Sequence, residues 1–152
     1  MNLSRSSQYA IRALTYLAER EPGKLNPIRQ IASRVGIPLP FLNKILSRLS
    51  HHGMVTTRRG RNGGAMLSRP ADQLTIGDVV GALDGPPGDG VCFLGLAACS
   101  DEQPCPVHDG WKAVRSDLSR ALHARTFGEL SLVGHKVTRS AKPTPVRRRS
   151  AK

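Results

Sequence analysis

Residues 27–53 read PIRQIASRVGIPLPFLNKILSRLSHHG, and this stretch decides the fold. Its first half begins at Pro27, a residue favoured in the first turn of a helix, and ends at Gly36, a residue favoured just after the last turn. A second stripe of helical period begins at Pro40 and ends at Gly53. The expected inward side chains are Ile28, Ile31, Ala32 and Val35 in the first helix, and Phe41, Leu42, Ile45, Leu46 and Leu49 in the second. Two helices joined by a short turn predict a helix-turn-helix unit.

The flanking segments extend this unit to a winged helix-turn-helix. A helix is expected from Ser6, with Ser6 or Ser7 as its N-cap. After the unit, MVTT and AMLS are short β-like runs joined by RRGRNGG at residues 58–64, which predicts a hairpin with a glycine-rich, cationic tip. The predicted fold class is mainly α with a small β-hairpin, a winged helix-turn-helix followed by a long dimerisation helix.

The second half of the chain predicts helices around an irregular loop. Capping-box patterns mark two helix starts, Thr75-x-x-Asp78 and Thr126-x-x-Glu129. Residues 85–105 hold glycine, proline and all three cysteines, which is too irregular for a helix. A helix is expected from about Val107 to Ala124, and its apolar stripe is long enough to pair with a second chain. That stripe is Trp111, Val114, Leu118 and Leu122.

Basic charge is concentrated at the two ends of the chain. The formal net charge is +12, from 23 Lys and Arg against 11 Asp and Glu. Residues 1–70 hold twelve bases and two acids, whereas residues 71–135 hold four bases and nine acids, and residues 136–152 hold seven bases and no acid. A basic block within one folded segment is the electrostatic footprint of a polyanion, although a solvated basic face is the alternative. We therefore expect double-stranded DNA as a partner.

The second helix of a helix-turn-helix lies in the major groove, with its first residues towards the base edges. Asn can pair with adenine and Lys can donate to guanine, while an Arg at a hairpin tip can enter a narrow minor groove. The alternative, an ordinary surface helix and hairpin, does not explain three arginines in four positions of the tip. The candidate DNA-binding residues are Pro38, Pro40, Phe41, Asn43, Lys44 and Arg48 in and before the helix, and Arg58, Arg59 and Arg61 in the wing.

The only three cysteines lie close together, as Cys92-x6-Cys99-x5-Cys105-x2-His108. Three thiolates with one imidazole can saturate a soft-metal or iron–sulfur site. The alternatives are unrelated buried thiols, a disulfide with a spare thiol, or a zinc site, although zinc sites usually carry a tighter Cys-x2–4-Cys knuckle. His108 is either a ligand or a surface or helix-capping histidine. The candidate metal ligands are Cys92, Cys99, Cys105 and His108, around an iron–sulfur cluster.

Three stretches of the chain resemble the bacterial Rrf2 family of transcription factors. They are LSRSSQYAIRALTYLA at residues 3–18, the run from IASRV to ALDG at residues 31–85, and the cysteines with HDGW at residues 108–111. The likeness covers about residues 1–133 and implies a homodimeric winged-helix repressor or activator, with the cluster loop and the long helix at the dimer interface. It implies that the three cysteines hold the cluster.

The branch of that family named after IscR has a histidine three residues after the last cysteine, which matches His108, and Trp111 follows as it does there. That likeness implies a [2Fe-2S] cluster in preference to [4Fe-4S]. The chain departs from the branch in its first gap, which is six residues here and five there. In NsrR-like sites an acidic residue near the N-terminus is the fourth ligand, and Gln8 at that place is a poor ligand, which favours His108. The recognition helix differs from that of IscR at its reading positions, so the operator sequence does not carry over.

Four segments are expected. They are a winged helix-turn-helix DNA-binding domain at residues 1–84, a cysteine-rich cluster-binding loop at 85–108, dimerisation helices at 109–133 and a disordered basic tail at 134–152. The tail combines prolines with an unbalanced positive charge and has no apolar periodicity, which is typical of disorder.

The sequence also predicts what the protein is not. The first ten residues lack the apolar run of a secretory signal, and no stretch approaches the roughly 18 apolar residues of a membrane span, so a cytoplasmic protein with reduced thiols is expected. No paired catalytic carboxylates, Ser/His/Asp constellation or phosphate loop indicates an enzyme. We predict a homodimeric transcriptional regulator whose operator binding responds to iron, redox or nitric oxide status through an iron–sulfur cluster. The alternative is a cluster-free thiol or zinc redox switch on the same fold.

Overall fold

The computed structural model describes residues 3–85, 92, 94 and 99–133. In chain order its elements are α1 (Arg5–Ala18), α2 (Ile28–Val35), α3 (Leu39–His51), β1 (Val55–Arg58), β2 (Gly64–Leu67), a short 3-10 helix (Ala71–Gln73), α4 (Ile76–Asp84), α5 (His108–His123) and α6 (Phe127–Leu132). This order confirms the predicted fold class, mainly helical with one antiparallel hairpin. The predicted tail at 134–152 and much of the predicted loop at 85–105 lie outside the described residues.

Helix α1 forms the centre of the domain, because it packs against α2, α3, α4 and α6. Its buried face includes Leu14 and Leu17, as the helical period predicts. The helix begins earlier than predicted, at Arg5. The Ser4 hydroxyl accepts a hydrogen bond from the Ser7 backbone N–H at 3.1 Å, so Ser4 is the N-cap and Ser7 lies buried in the first turn.

Helices α2 and α3 form the predicted helix-turn-helix. Gly36 ends α2 in the left-handed conformation, with φ of 66°, and Pro38 caps α3. The buried stripe of α3 consists of Leu42, Ile45, Leu46 and Leu49. The prediction that Phe41 belongs to this stripe is wrong, since its side chain is 53% exposed. Phe41 lies about 100° around the helix from Leu42, and its ring meets the Tyr9 ring in an edge-on arrangement, at 6.5 Å between ring centroids.

The hairpin that follows is anchored to the segment before α2. Strands β1 and β2 pair with Arg58 opposite Gly64, one residue beyond the predicted strand at its outer end. The backbone of Asn26 exchanges two hydrogen bonds of 2.9 Å with Ala65 in β2. A Cβ at Gly64 would lie 2.3 Å from the Asn26 carbonyl oxygen, and a Cβ at Gly63 would lie 2.2 Å from that of Arg58. Both glycines are therefore required by close approach of one backbone to another.

The last three helices complete the fold, with α4 and α6 packed on α1. Both predicted capping boxes are present, at the starts of α4 and α6. Helix α5 packs against α4, and His108 is the buried residue of this helix. Of its predicted apolar stripe, Val114 is 55% exposed and the other members are partly buried. Within the part of the chain that the structure describes, no helix has the length and apolar character needed to cross a membrane.

Candidate nucleic-acid interface and cysteine site

A basic groove runs between helix α3 and the wing, which is the β1–β2 hairpin with its tip. Its volume is about 870 Å³, and its walls come from the outer face of α3, the tip of the wing and the start of α2. The cationic side chains that line it are Arg29, Arg58, Arg59 and Arg61. Among the described residues that line the groove, none is acidic. The groove therefore presents a one-sided positive surface beside an exposed helix.

The start of α3 and its outer face provide the predicted base-reading residues. Asn43 and Lys44 are exposed, and Asn43 lines the groove. Pro38 and Pro40 are exposed at the N-terminal end of α3, where the helix dipole is positive and favours phosphate. Phe41, also predicted to contact DNA, is exposed beside them. All five are exposed in or just before α3, and of the five Asn43 lines the groove.

Two ionisable groove residues escaped the sequence prediction. His51 lies eight positions after Asn43, which is two steps of four along α3 and hence the same face. Arg29 reaches the groove from the first turn of α2. The helical spacing from Asn43 could have predicted His51, whereas nothing in the local sequence of α2 indicates that Arg29 lines the groove.

Arg48 has a different environment from the other predicted DNA-binding residues. Its Nη2 donates to the backbone carbonyl oxygen of Leu83 at 2.8 Å and to that of Ala82 at 3.3 Å. Both acceptors belong to the last turn of α4. The guanidinium of Arg48 is thus directed to a neighbouring helix of the same chain.

The second candidate site surrounds the cysteines. Cys92 is buried, Cys99 and Cys105 are half-buried, and all three are free thiols. His108, at the start of α5, is only 5% exposed. The Sγ of Cys99 lies 3.3 Å from Nδ1 of His108. Two ligands of one tetrahedral metal atom, with bonds of about 2.3 Å to sulfur and about 2.0 Å to nitrogen, lie roughly 3.5 Å apart, so this pair fits one metal atom.

An aspartate holds the other side of the imidazole. Nε2 of His108 lies 2.7 Å from a carboxylate oxygen of Asp101, and Lys112 Nζ lies 2.8 and 3.0 Å from the two oxygens of the same carboxylate. The hydrogen bond from Lys112, followed by that from His108, lowers the pKa of Asp101, so the carboxylate is charged at neutral pH. Because a carboxylate only accepts, Nε2 of a neutral imidazole carries the proton and Nδ1 keeps its lone pair towards Cys99. Histidines that bind metals are commonly oriented by a carboxylate in this way.

The four predicted ligands are not gathered into one group. Within residues 3–85, 92, 94 and 99–133, no three His, Cys, Asp or Glu side chains are placed to hold a metal ion together. The structure therefore brings Cys99 and His108 together, and it does not add Cys92 or Cys105 to them. In chemistry and separation the Cys99–His108 pair fits a soft metal, and the complete ligand set stays a prediction.

The recognition helix, the basic wing and the groove between them define a winged helix-turn-helix protein. Residues 3–131 match the Rrf2 family, described as "Iron-dependent Transcriptional regulator". The chain belongs to the Rrf2 family of transcriptional regulators, as its resemblance predicted, and regulators of this family bind DNA.

Relatives and solved structures agree with that assignment. The chain is 32% identical over 130 residues to the HTH-type transcriptional regulator IscR of Cronobacter sakazakii, a match that covers 86% of this chain and 80% of IscR. The structure of CymR, the global cysteine regulator of B. subtilis, superposes with a TM-score of 0.74 at 22% identity, covering 88% of this chain and 98% of CymR. IscR of T. potens superposes with a TM-score of 0.70 at 22% identity, covering 94% of both chains. At these identities the two structures show a common fold.

Proposed function

We propose that this Rrf2-family regulator acts as a homodimer whose affinity for its operator is set by an iron–sulfur cluster. The proposed ligands are Cys92, Cys99, Cys105 and His108. The observation that carries the proposal is the contact between Cys99 and the buried His108, with Asp101 on the far side of the ring. A histidine that merely capped a helix would need no carboxylate to direct one nitrogen towards a thiol.

The DNA-binding half of the proposal is supported by the shape and charge of the groove. With α3 in the major groove, Asn43 and Lys44 would meet base edges, and the exposed N-terminal end of α3 would meet a phosphate. Arg58, Arg59 and Arg61 would meet the sugar–phosphate backbone or the adjacent minor groove. The basic groove and the exposed outer face of α3 would thus be used by one ligand.

The proposal of a cluster is supported by the contacts that orient its proposed ligands. Asp101 fixes the tautomer of His108, and Lys112 fixes Asp101 from the solvent side. Cys99 then faces the free lone pair of the ring. A bound cluster would be held by the three thiolates and by the imidazole of His108, so it would tie the segment before α5 to the first turn of α5. We favour [2Fe-2S] over [4Fe-4S], because the histidine three residues after the last cysteine follows the pattern of IscR.

Such a cluster can change operator affinity only if the DNA-binding and non-binding conformations bind it unequally. The two recognition helices of a dimer must be roughly 34–36 Å apart to meet successive half-sites. Val114 and its partly buried neighbours on α5 offer an apolar face for a second chain. Because the proposed ligand His108 opens that same helix, a change at the cluster would act next to the dimer contact.

The proposal is tested on protein purified without oxygen, by iron and sulfide analysis with visible absorption and Mössbauer spectra. Alanine at any of the three cysteines should abolish the cluster, since each thiolate is a direct bond to iron. His108→Ala should give a weakened or spectrally shifted cluster. The matched control is His123→Ala, an exposed histidine at the other end of α5 whose Nδ1 contacts the Ser119 carbonyl. It should keep the wild-type spectrum.

Two results would contradict the proposal. Zinc or thiols without sulfide in the purified protein would indicate a cluster-free switch. Equal operator affinities of the cluster-loaded and cluster-free proteins would remove the sensing role. An unchanged spectrum and stability in the His108 variant would exclude His108 from the ligand set while leaving the cysteines in it.

A further inference from the structure

The carboxyl end of α4 is held by residues from two other helices. Arg48 of α3 donates to the Leu83 and Ala82 carbonyl oxygens in the last turn of α4. Ser4, the N-cap of α1, donates to the carboxylate of Asp84 through its backbone N–H at 3.1 Å and through its hydroxyl at 2.5 Å. The recognition helix and the central helix are therefore both tied to one turn of α4.

This turn is a favourable place for a guanidinium. The last four carbonyl groups of a helix have no partner within the helix, and the helix dipole makes this end negative. Asp84 adds a carboxylate to the same turn. An arginine that satisfies two of these carbonyls gains both hydrogen bonds and electrostatic attraction.

The same turn is where the cysteine loop leaves the domain. Gly85 caps α4, and Cys92, the first of the three cysteines, follows seven residues later. Along the chain, the last turn of α4 is the part of residues 1–84 that directly precedes the segment holding the cysteines. Arg48 lies on α3 one turn after Lys44, so it connects that turn directly to the helix predicted to read DNA.

We propose that Arg48 is a positioning residue that couples the recognition helix to the end of α4, so that the state of the loop after α4 sets the orientation of α3. This inference rests on the proposed function, because a change in the cysteine loop is what it transmits. It differs from the sequence prediction for Arg48, in which the side chain contacts DNA. In the structure its Nη2 donates instead to two carbonyl oxygens of its own chain.

Substitutions at Arg48 separate the two roles. Lysine keeps the charge but cannot reproduce the geometry of the guanidinium, and glutamine removes the charge. As a positioning residue, Arg48 should tolerate neither: Arg48→Lys and Arg48→Gln should weaken operator binding by roughly two- to thirtyfold. The slope of log affinity against log salt should stay at its wild-type value. The control is Arg58→Gln in the wing, which should reduce that slope by about 0.9, the value of one phosphate contact.

A phosphate contact by Arg48 gives the opposite pattern. Arg48→Lys would then keep wild-type affinity, and Arg48→Gln would lose about one counterion from the salt slope, as the wing control does. That outcome overturns the inference. Should Arg48→Gln fail to fold, amide exchange at residues 82–85 in Arg48→Lys decides: faster exchange supports coupling, and wild-type exchange contradicts it.

Hydrogen exchange supplies a readout that needs neither DNA nor cluster. Loss of the Arg48 contacts should speed exchange of the amides at residues 82–85, while the Leu14 amide in the middle of α1 keeps its protection. Wild-type exchange at residues 82–85 in Arg48→Gln would overturn the inference. Arg58→Gln should leave these amides unchanged.

The cluster comparison shows which proposal has failed, if either does. In the wild type and in Arg58→Gln, loaded and cluster-free protein should differ in operator affinity by the same factor. In Arg48→Gln that factor should fall towards one, and a wild-type factor in this variant would overturn the coupling role. If the factor is already one in the wild type, the cluster-sensing proposal fails. The salt slope and the exchange measurement then still decide whether Arg48 positions α3.

Discussion

Replacing Gly64 with alanine should loosen the wing from the body of the domain. A Cβ at this position would lie 2.3 Å from the carbonyl oxygen and 2.6 Å from the carbonyl carbon of Asn26. Both atoms belong to backbone, so no side chain can rotate away and the two segments must separate. The separation breaks the pair of 2.9 Å hydrogen bonds between Asn26 and Ala65.

The expected loss of stability follows from those two bonds. At about 0.5–1.5 kcal/mol each, they contribute about 1–3 kcal/mol to the free energy of unfolding. Alanine also restricts the unfolded chain, which offsets up to about 1 kcal/mol of that loss. A net loss of about 1–2 kcal/mol is expected. Because the wing carries Arg58, Arg59 and Arg61, affinity for duplex DNA of any sequence should fall as well.

Urea unfolding followed by circular dichroism measures the first effect, and fluorescence anisotropy with a labelled duplex measures the second. The control is Gly81→Ala in α4, where an added Cβ meets no atom within 4 Å. That substitution should raise stability by up to about 1 kcal/mol, the difference in helix propensity between glycine and alanine. If Gly64→Ala unfolds at the same urea concentration as the wild type, the close approach of β2 to Asn26 is not a constraint, and the reasoning is refuted.

Three further predictions concern DNA, charge and the tail. Arg59→Ala should weaken binding to specific and random duplexes alike and flatten the salt slope by about one counterion. Asn43→Ala should instead cost ~1–3 kcal/mol of binding free energy on the operator alone. Equal losses in both variants on both duplexes would contradict base reading by α3. Lys112→Met should raise the pKa of Asp101 towards its ordinary value of 3.8, seen by carbon NMR titration. A carboxyl group whose pKa is lowered on folding stabilises the protein at pH values above its ordinary pKa, and this contribution is lost as the pH falls through the lowered pKa. The free energy of unfolding of Lys112→Met should therefore be smaller than that of the wild type at neutral pH and equal to it in strong acid. Deleting residues 134–152, which carry seven of the 23 bases and no acid, should weaken binding to any duplex, most at low salt, and leave operator preference nearly unchanged.

The parts of the fold that could be predicted are those whose cause is local. A capping box needs only two residues three positions apart, and both predicted boxes are present. The turn between α2 and α3 depends on Gly36, whose positive φ is the reason for a glycine there. The apolar stripe of α3 follows from the helical period alone, and four of its five predicted members are buried.

The errors arise where neighbouring elements decide the outcome. Phe41 lies beside the stripe of α3, and its ring stays 53% exposed next to Tyr9 of α1. Ser4 caps α1 where three serines compete over four positions, and its contact with Asp84, 80 residues away, favours the first of them. The extra pair at the outer end of the hairpin depends on the approach of Gly63 to Arg58.

The distribution of charge along the sequence predicted a basic surface but not which arginines form it. Arg12 belongs to the basic N-terminal block, yet its side chain is buried, donates to the Val35 carbonyl at the end of α2 and lies over the Tyr9 ring. Burial lowers the pKa of Arg12. Arg48 donates to a carbonyl oxygen of α4, while Arg29 lines the groove. A sequence does not distinguish an arginine that donates to a backbone carbonyl of its own chain from one that faces solvent. For Arg12 and Arg48 the accepting carbonyl lies more than twenty residues away along the chain.

The candidate metal site shows the same limit in another form. The clustered cysteines, with His108 three residues after Cys105, suggested ligands, and of these Cys99 and His108 lie 3.3 Å apart. Nothing in the sequence indicated that Asp101 would orient the ring or that Lys112 would hold Asp101. These partners come from the folding of the segment before α5 against its first two turns. The spacing of ligand residues in a sequence does not predict the residues that orient those ligands.

Magnitudes indicate how little structural change the proposed sensing requires. A tenfold change in operator affinity corresponds to about 1.4 kcal/mol of difference between two conformations. One or two hydrogen bonds supply that amount, at about 0.5–1.5 kcal/mol each. The contacts of Arg48 with Leu83 and Ala82 are of this kind, and they join the helix predicted to read DNA to the turn from which the cysteine loop departs. A loop that makes or breaks these contacts would therefore switch the regulator while Leu42, Leu46 and the rest of the buried stripe of α3 keep their packing.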